Sequence, residues 1–274
     1  MKISILLAFI LLPFLSYSNE RDSLSNNGQY LGISSGLGYY RIRDVQESSL
    51  MYQNSYFPIL LNYNYNAQRF IHSINFQYFS DTLKSSISSG SNNVMAIHNF
   101  EINYNCLYKT NTTIFKHFNI CFGGNLSNLL SIRTHILNTT GITKYNNYET
   151  FSDVGLAIGI INDNIANTKW GIKYIASISV LSYVLFRRYD YNGVFNNIDN
   201  LSPTFFDLFK AGEWLTLNHF IDFQSSLQAE RQLYKRIYFN VEYLFRYVDY
   251  NQYNNLFPVK IGINQFSIGL KYKL

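Results

Sequence analysis

The sequence predicts an all-β fold: a closed antiparallel up-and-down transmembrane β-barrel of about ten strands, with short periplasmic turns and long outer loops. Three observations carry this. Apolar residues recur at every second position in ten segments, the apolar side of each lacks Asp, Glu, Lys and Arg, and the connections alternate short and long. The composition agrees: 18% of the 274 residues are aromatic, with 24 Tyr and 22 Phe, and only 14% are charged. A soluble domain of this size carries about a quarter charged residues. Apolar residues spread in this way suit a wall with lipid on one side and water on the other.

The chain opens with export features. Met1-Lys2 gives a positive start, Ile3 to Leu15 is almost wholly apolar, and Ser16-Tyr17-Ser18 supplies small residues for cleavage. Residues 1–18 are therefore read as a signal peptide, 19–27 as a short periplasmic segment and 28–274 as the barrel. After residue 18 no uncharged apolar run approaches the roughly 20 residues of a spanning helix.

The ten segments follow in order. The first, about Tyr30 to Tyr40, turns Leu31, Ile33, Leu37 and Tyr39 outward, against Gly32, Ser34, Gly36 and Gly38. The second turns out Phe57, Ile59, Leu61, Tyr63 and Tyr65, and the third Phe70, His72, Ile74, Phe76 and Tyr78. The fourth shows His98, Phe100, Ile102, Tyr104 and Cys106, the fifth Phe118, Ile120, Phe122 and Leu126. The sixth shows Val154, Leu156, Ile158 and Ile160, and the seventh runs from Trp170 to Val180 on even numbers. The eighth turns out Leu217, His219, Ile221 and Phe223, and the ninth the odd positions from Ile237 to Tyr247. In the tenth, Phe266, Ile268, Leu270, Tyr272 and Leu274 alternate with Ser267, Gly269, Lys271 and Lys273.

Glu101, Lys173, Asp222, Glu242, Arg246 and Lys271 all point to the other side. A charge on the lipid face costs about 2–4 kcal/mol near the midplane, so this one-sidedness has a physical cause. Long connections are expected at about Arg41–Ser55, Ser80–Asn93, Ser127–Thr150, Arg187–Trp214 and Asp249–Pro258. Short ones fall near Asn66–Gln68, Lys109–Thr113, Asn162–Thr168 and Glu230–Lys235.

The chain ends on an apolar residue with an aromatic two residues earlier. That ending resembles the terminal strand signal of the bacterial outer-membrane β-barrel family, and the small barrels of the Bacteroidetes type in particular. The resemblance covers nearly all of 28–274 and rests on pattern rather than on a diagnostic motif. It implies residence in the bacterial outer membrane, contact with its lipid, and recognition of the last strand by the barrel assembly machinery.

A ten-stranded lumen lined by Asn, Gln, Tyr and a few charges is expected to be plugged by its own side chains. A hairpin centred on Gln232 would bring Asp222 opposite Glu242, with Arg246 and Lys271 as their cations. Glu101 and Lys173 complete this lumenal polar network, whose other reading is a narrow cation path.

Ser182 and His219, both taken as outward, form the one candidate catalytic pair, of the kind outer-membrane acyl hydrolases use. His72-Ser73 is no pair, because strand neighbours point to opposite faces. The rim acids Asp190, Asp207, Glu213 and Asp249 lack the paired Asp-Asp or Asp-x-His cluster of ten-stranded outer-membrane proteases. Neither a metal site nor a cofactor is expected. Cys106 and Cys121 fall on opposite faces and are expected to be inert thiols. The net charge of +5 is scattered, which excludes a nucleic-acid surface. The 187–214 loop carries an apolar patch around Phe205, Phe206, Leu208 and Phe209, read as a lid or as a contact for an extracellular ligand or protein partner.

These features point to a non-enzymatic surface, structural or binding role. A lipid-modifying acyl hydrolase and a narrow passive channel stand as alternatives.

Overall fold

The computed structural model describes residues 28–45, 50–85, 94–114, 118–137, 143–162, 170–186, 212–252 and 257–274. The expected signal peptide, the 19–27 segment, Asp190, Asp207 and most of the 187–214 loop lie outside the described residues. Every described element is a strand: β1 (Gly28–Asp44), β2 (Met51–Tyr56), β3 (Ile59–Asn66), β4 (Phe70–Ser85), β5 (Val94–Ile114) and β6 (Phe118–Leu137). β7 (Thr143–Asn162), β8 (Trp170–Phe186), β9 (Glu213–Thr216), β10 (Phe220–Tyr234), β11 (Ile237–Gln252) and β12 (Phe257–Lys273) complete the set.

All pair antiparallel in one sheet, and β12 runs along β1 from Tyr30↔Lys273 to Asp44↔Val259, which closes the ring. Closure leaves no edge with unpaired backbone groups, the condition for a sheet in lipid. Two staves are interrupted, so the twelve segments make ten staves. Pro58 has no N–H to give the ladder and separates β2 from β3, while its carbonyl accepts the Ser35 hydroxyl at 2.7 Å. Leu217–His219 form a turn between β9 and β10, with the His219 N–H donated to the Thr216 carbonyl at 2.9 Å.

The outward face is the apolar one: Ile33, Phe57, Ile102, Phe122, Leu156, Ile158, Phe266 and Leu270 are each about half exposed or more. Leu274 ends this row, and its N–H is donated to the Gln29 carbonyl at 2.9 Å. Cys106 faces outward, Cys121 is buried, and no disulfide joins them.

The strands run further than the sequence analysis expects. β1 continues to Asp44, β4 to Ser85 and β6 to Leu137, and β7 begins at Thr143, so much of the expected loops is ladder. The cause is an inversion of chemistry at constant parity. In these extensions Arg41, Arg43, Lys84 and Lys260 face out, while Tyr40, Ile42, Phe79, Leu83, Val259 and Ile261 face in and are buried. A search for apolar residues on the outward parity reads such a stretch as loop. The β10–β11 hairpin is also shifted. β10 reaches Tyr234 and turns at Lys235-Arg236, not at Gln232.

The inverted extensions build a hydrophobic core inside the loop end of the barrel. Its buried members come from all ten staves, among them Tyr56, Phe79, Met95, Leu129, Phe151, Val184, Phe220 and Tyr250. Tyr56 stacks on Phe79 with ring centroids 3.9 Å apart, and Phe151 lies 5.5 Å from Phe220. Gly38 makes room for this. A Cβ there would lie 2.2 Å from Cζ of Tyr56, so the first strand needs a glycine where the ring crosses it. A smaller apolar group of Ile71, Leu107, Cys121, Ala157, Ile161 and Ile175 fills the turn end.

A charged lumenal cluster as the candidate functional site

Below the apolar core the lumen is polar, because strand alternation places one residue type in water and the other in lipid. Arg246 of β11 is fully buried at its centre. Its Nε donates to Asp222 Oδ1 at 3.0 Å, its Nη2 bonds Asp222 Oδ2 and donates to Ser127 Oγ at 3.0 Å, and its Nη1 lies 2.9 Å from Glu101 Oε1. The Asp222 N–H donates to Ser179 Oγ at 2.9 Å. The cluster therefore ties β5, β6, β8, β10 and β11 together. β5 stands five staves from β11 in either direction round the ring, so the Arg246–Glu101 contact spans the bore. The contact bridges the bore at 2.9 Å.

The six lumenal charges named from the sequence divide into two groups. Asp222 lies opposite Val248, and Glu242 lies opposite Gln228 and Ser267, so the two carboxylates do not face each other. The three-residue shift of the β10–β11 hairpin is the reason. Arg246, Asp222 and Glu101 form the upper group. In the lower group Lys271 bonds Glu230, while Lys173 and Glu242 flank Gln228 from the neighbouring staves.

Amides also line the lumen and bond one another. Asn125 donates to Asn103 at 3.0 Å and to Asn105 at 2.9 Å, and Gln77 donates to Gln265 at 2.9 Å. The Tyr56 hydroxyl donates to the same Gln265 at 2.8 Å. Glu101 and Glu242 line one cavity with Asn62, Gln77, Asn103 and Gln224. It holds about 40 Å³ on a scale where one water needs roughly 10–15 Å³. That is room for a few waters and for no larger solute.

The candidate catalytic pair does not form. Ser182 is 1% exposed and faces inward, whereas His219 sits on the exposed turn after β9. The register jumps between Val154↔Leu181 and Gly155↔Ser179, leaving Val180 as an extra residue. This bulge reverses the parity of everything after it, so a count from Trp170 assigns Ser182 to the wrong face. Ser182 instead lies opposite Asp153 in the β7–β8 ladder, with both side chains buried.

A second buried charge group escaped the sequence analysis because it lies in stretches read as loop. Arg133 of β6 contacts Asp44 of β1 at 2.9 Å and also Glu149 of β7, all within 2% exposure. The signal was present as isolated charges between apolar residues at the inward parity, as in Leu129-Leu130-Ser131-Ile132-Arg133. Among the described residues no group of three His, Cys, Asp or Glu is placed to hold a metal ion.

The fold and the filled bore define a class: a ten-stave transmembrane β-barrel with a packed interior. Known structures of the same kind are bacterial outer-membrane proteins. The outer-membrane protease OmpT of Escherichia coli matches with a TM-score of 0.54 at 11% identity, over 94% of this chain and 100% of that one. The beta domain of the Bordetella autotransporter BrkA matches at a TM-score of 0.40 and 12% identity, over 91% and 100%. Neisserial surface protein A matches at 0.35 and 9%, over 90% and 97%. At these identities the likeness is one of fold. No protein-family model matches the chain, and no curated protein matches its sequence.

Proposed function

We propose that the chain is a small outer-membrane β-barrel, of the Bacteroidetes type its sequence resembles, closed to solutes and without catalytic chemistry of its own. It holds its loop end outside the cell as a rigid scaffold, and the 187–214 segment offers the contact for an extracellular ligand or protein. The observation that carries this reading is the Arg246–Glu101 contact across the full bore, beneath an apolar core drawn from every stave. A channel needs a continuous wet path, and a barrel of this size is just wide enough for side chains to fill. The acyl-hydrolase alternative loses its support, since Ser182 is shut inside the lumen and His219 is outside it.

Planar-bilayer recording on the purified full chain tests the proposal. The expected result is an insertion-competent protein that gives no unitary conductance steps. Reproducible cation-selective steps would overturn it and favour the narrow channel, with Glu101 and Glu242 as its lining.

A further inference from the structure

Four cations face outward on neighbouring staves of the loop end: Arg41 and Arg43 on β1, Lys84 on β4 and Lys260 on β12, all exposed. Arg43 lies directly opposite Lys260, while Arg41 is opposite Gln53, itself opposite Lys84. Like charges directly opposite each other in a sheet repel. Among the described residues one carboxylate answers them: Asp249, which meets Lys260 Nζ at 3.2 Å.

The height of the patch indicates its partner. Immediately below it, outward on the same staves, stand Tyr39, Phe57 and Tyr78, and the Arg41 guanidinium lies 5.9 Å above the Tyr39 ring. Amphipathic rings mark the level where hydrocarbon gives way to head groups. The cations thus occupy the head-group layer. They gather around β1: outward positions at this height on β5 and β6, such as Ala96, Ile132 and Thr134, carry no Lys or Arg.

We infer that this cationic patch around β1 binds the phosphate-bearing head group of an outer-leaflet glycolipid. Arg41 and Arg43 offer planar forks suited to phosphate oxygens, with Lys84 and Lys260 as flanking point charges. An anion placed between Arg43 and Lys260 removes the repulsion that the register imposes. The inference rests on the outer-membrane placement, which cell fractionation tests separately.

The test uses the full chain folded in phosphatidylcholine vesicles and titrated with lipid A, with dephosphorylated lipid A, or with inorganic phosphate. Folding is checked by the heat-shifted gel band. The expected result is retention of the phosphorylated lipid in preference to the dephosphorylated one, unaffected by inorganic phosphate at equal phosphate concentration. The R41Q/R43Q/K260Q variant should bind more weakly by roughly fivefold per cation, the equivalent of about 1 kcal/mol each. Asp249→Asn removes the one carboxylate and should bind more tightly, a gain that no folding defect imitates. Equal retention of both lipids, or no change in either variant, would overturn the inference. Full competition by inorganic phosphate would also overturn it, since it marks a site for a small anion.

Discussion

Replacing Arg246 by Met isolates the energetic role of the lumenal clasp. The substitution keeps most of the side-chain volume and removes one guanidinium that serves Asp222, Glu101 and Ser127 at once. Glu101 and Asp222 are each about 5% exposed, so their charges cannot turn to bulk water. Removing one partner of a buried ion pair costs about 3–5 kcal/mol, because the remaining charge is uncompensated. The unfolding equilibrium should shift by more than about a hundredfold. Arg43→Met is the matched control, since it alters an exposed position and should stay within about 0.5 kcal/mol. Urea unfolding in lipid vesicles, followed by loss of the compact band on unheated gels, measures both. A second arm separates charge from packing. Adding Glu101→Gln and Asp222→Asn to Arg246→Met leaves neutral amides that can bond one another and should recover part of the loss. If Arg246→Met costs no more than Arg43→Met, or if the triple variant is as unstable as the single one, the clasp is not what holds the bore.

Leu274→Asp, or deletion of Phe266–Leu274, should leave no heat-modifiable band at all, because the last stave pairs with β1 and β11 on its two sides. Normal heat-shifted migration would refute the role assigned to the chain end. Ser182→Leu places extra methylenes in a buried polar position beside Asp153 and should cost about 1–3 kcal/mol, against about 0.5 or less for His219→Leu on its exposed turn. Equal effects in the same urea experiment would mean that the bulge at Val180 is misplaced.

The membrane-level wall was legible because lipid imposes one rule on every residue facing it. Leu31, Ile33 and Leu37 in β1, or Ile268, Leu270 and Tyr272 in β12, can be read one by one from that rule. What failed were features that break a count. One extra residue at Val180 moved Ser182 from one face to the other, and three more ladder residues in β10 moved Asp222 away from Glu242. Bulges and hairpin ends are set by pairing with a neighbour, which a single strand's periodicity does not contain. The Arg133–Asp44–Glu149 group was invisible for a related reason. Arg133 and Glu149 sit on the paired strands β6 and β7, but Asp44 of β1 reaches them only across the bore, and nothing local marks the three as partners.

The inverted alternation of the strand extensions has a mechanical consequence. β1, β4 and β12 carry a waterline written in their own sequence, apolar outward below and charged outward above, and the other staves share the apolar band. If the barrel sank by two residues, Arg41 and its neighbours in the cationic row would enter the edge of the hydrocarbon at up to about 1 kcal/mol for each charge, a cost that climbs toward about 2–4 kcal/mol with further descent to the midplane. If it rose, Leu31, Ile33 and their counterparts on other staves would meet water and lose about 25 cal/mol for every Å² of apolar surface uncovered. Both penalties act on many staves together, so vertical drift and tilt meet a steep restoring force. A cylinder marked in this way floats at one height, and whatever its loops present is held at a constant distance from the lipid surface.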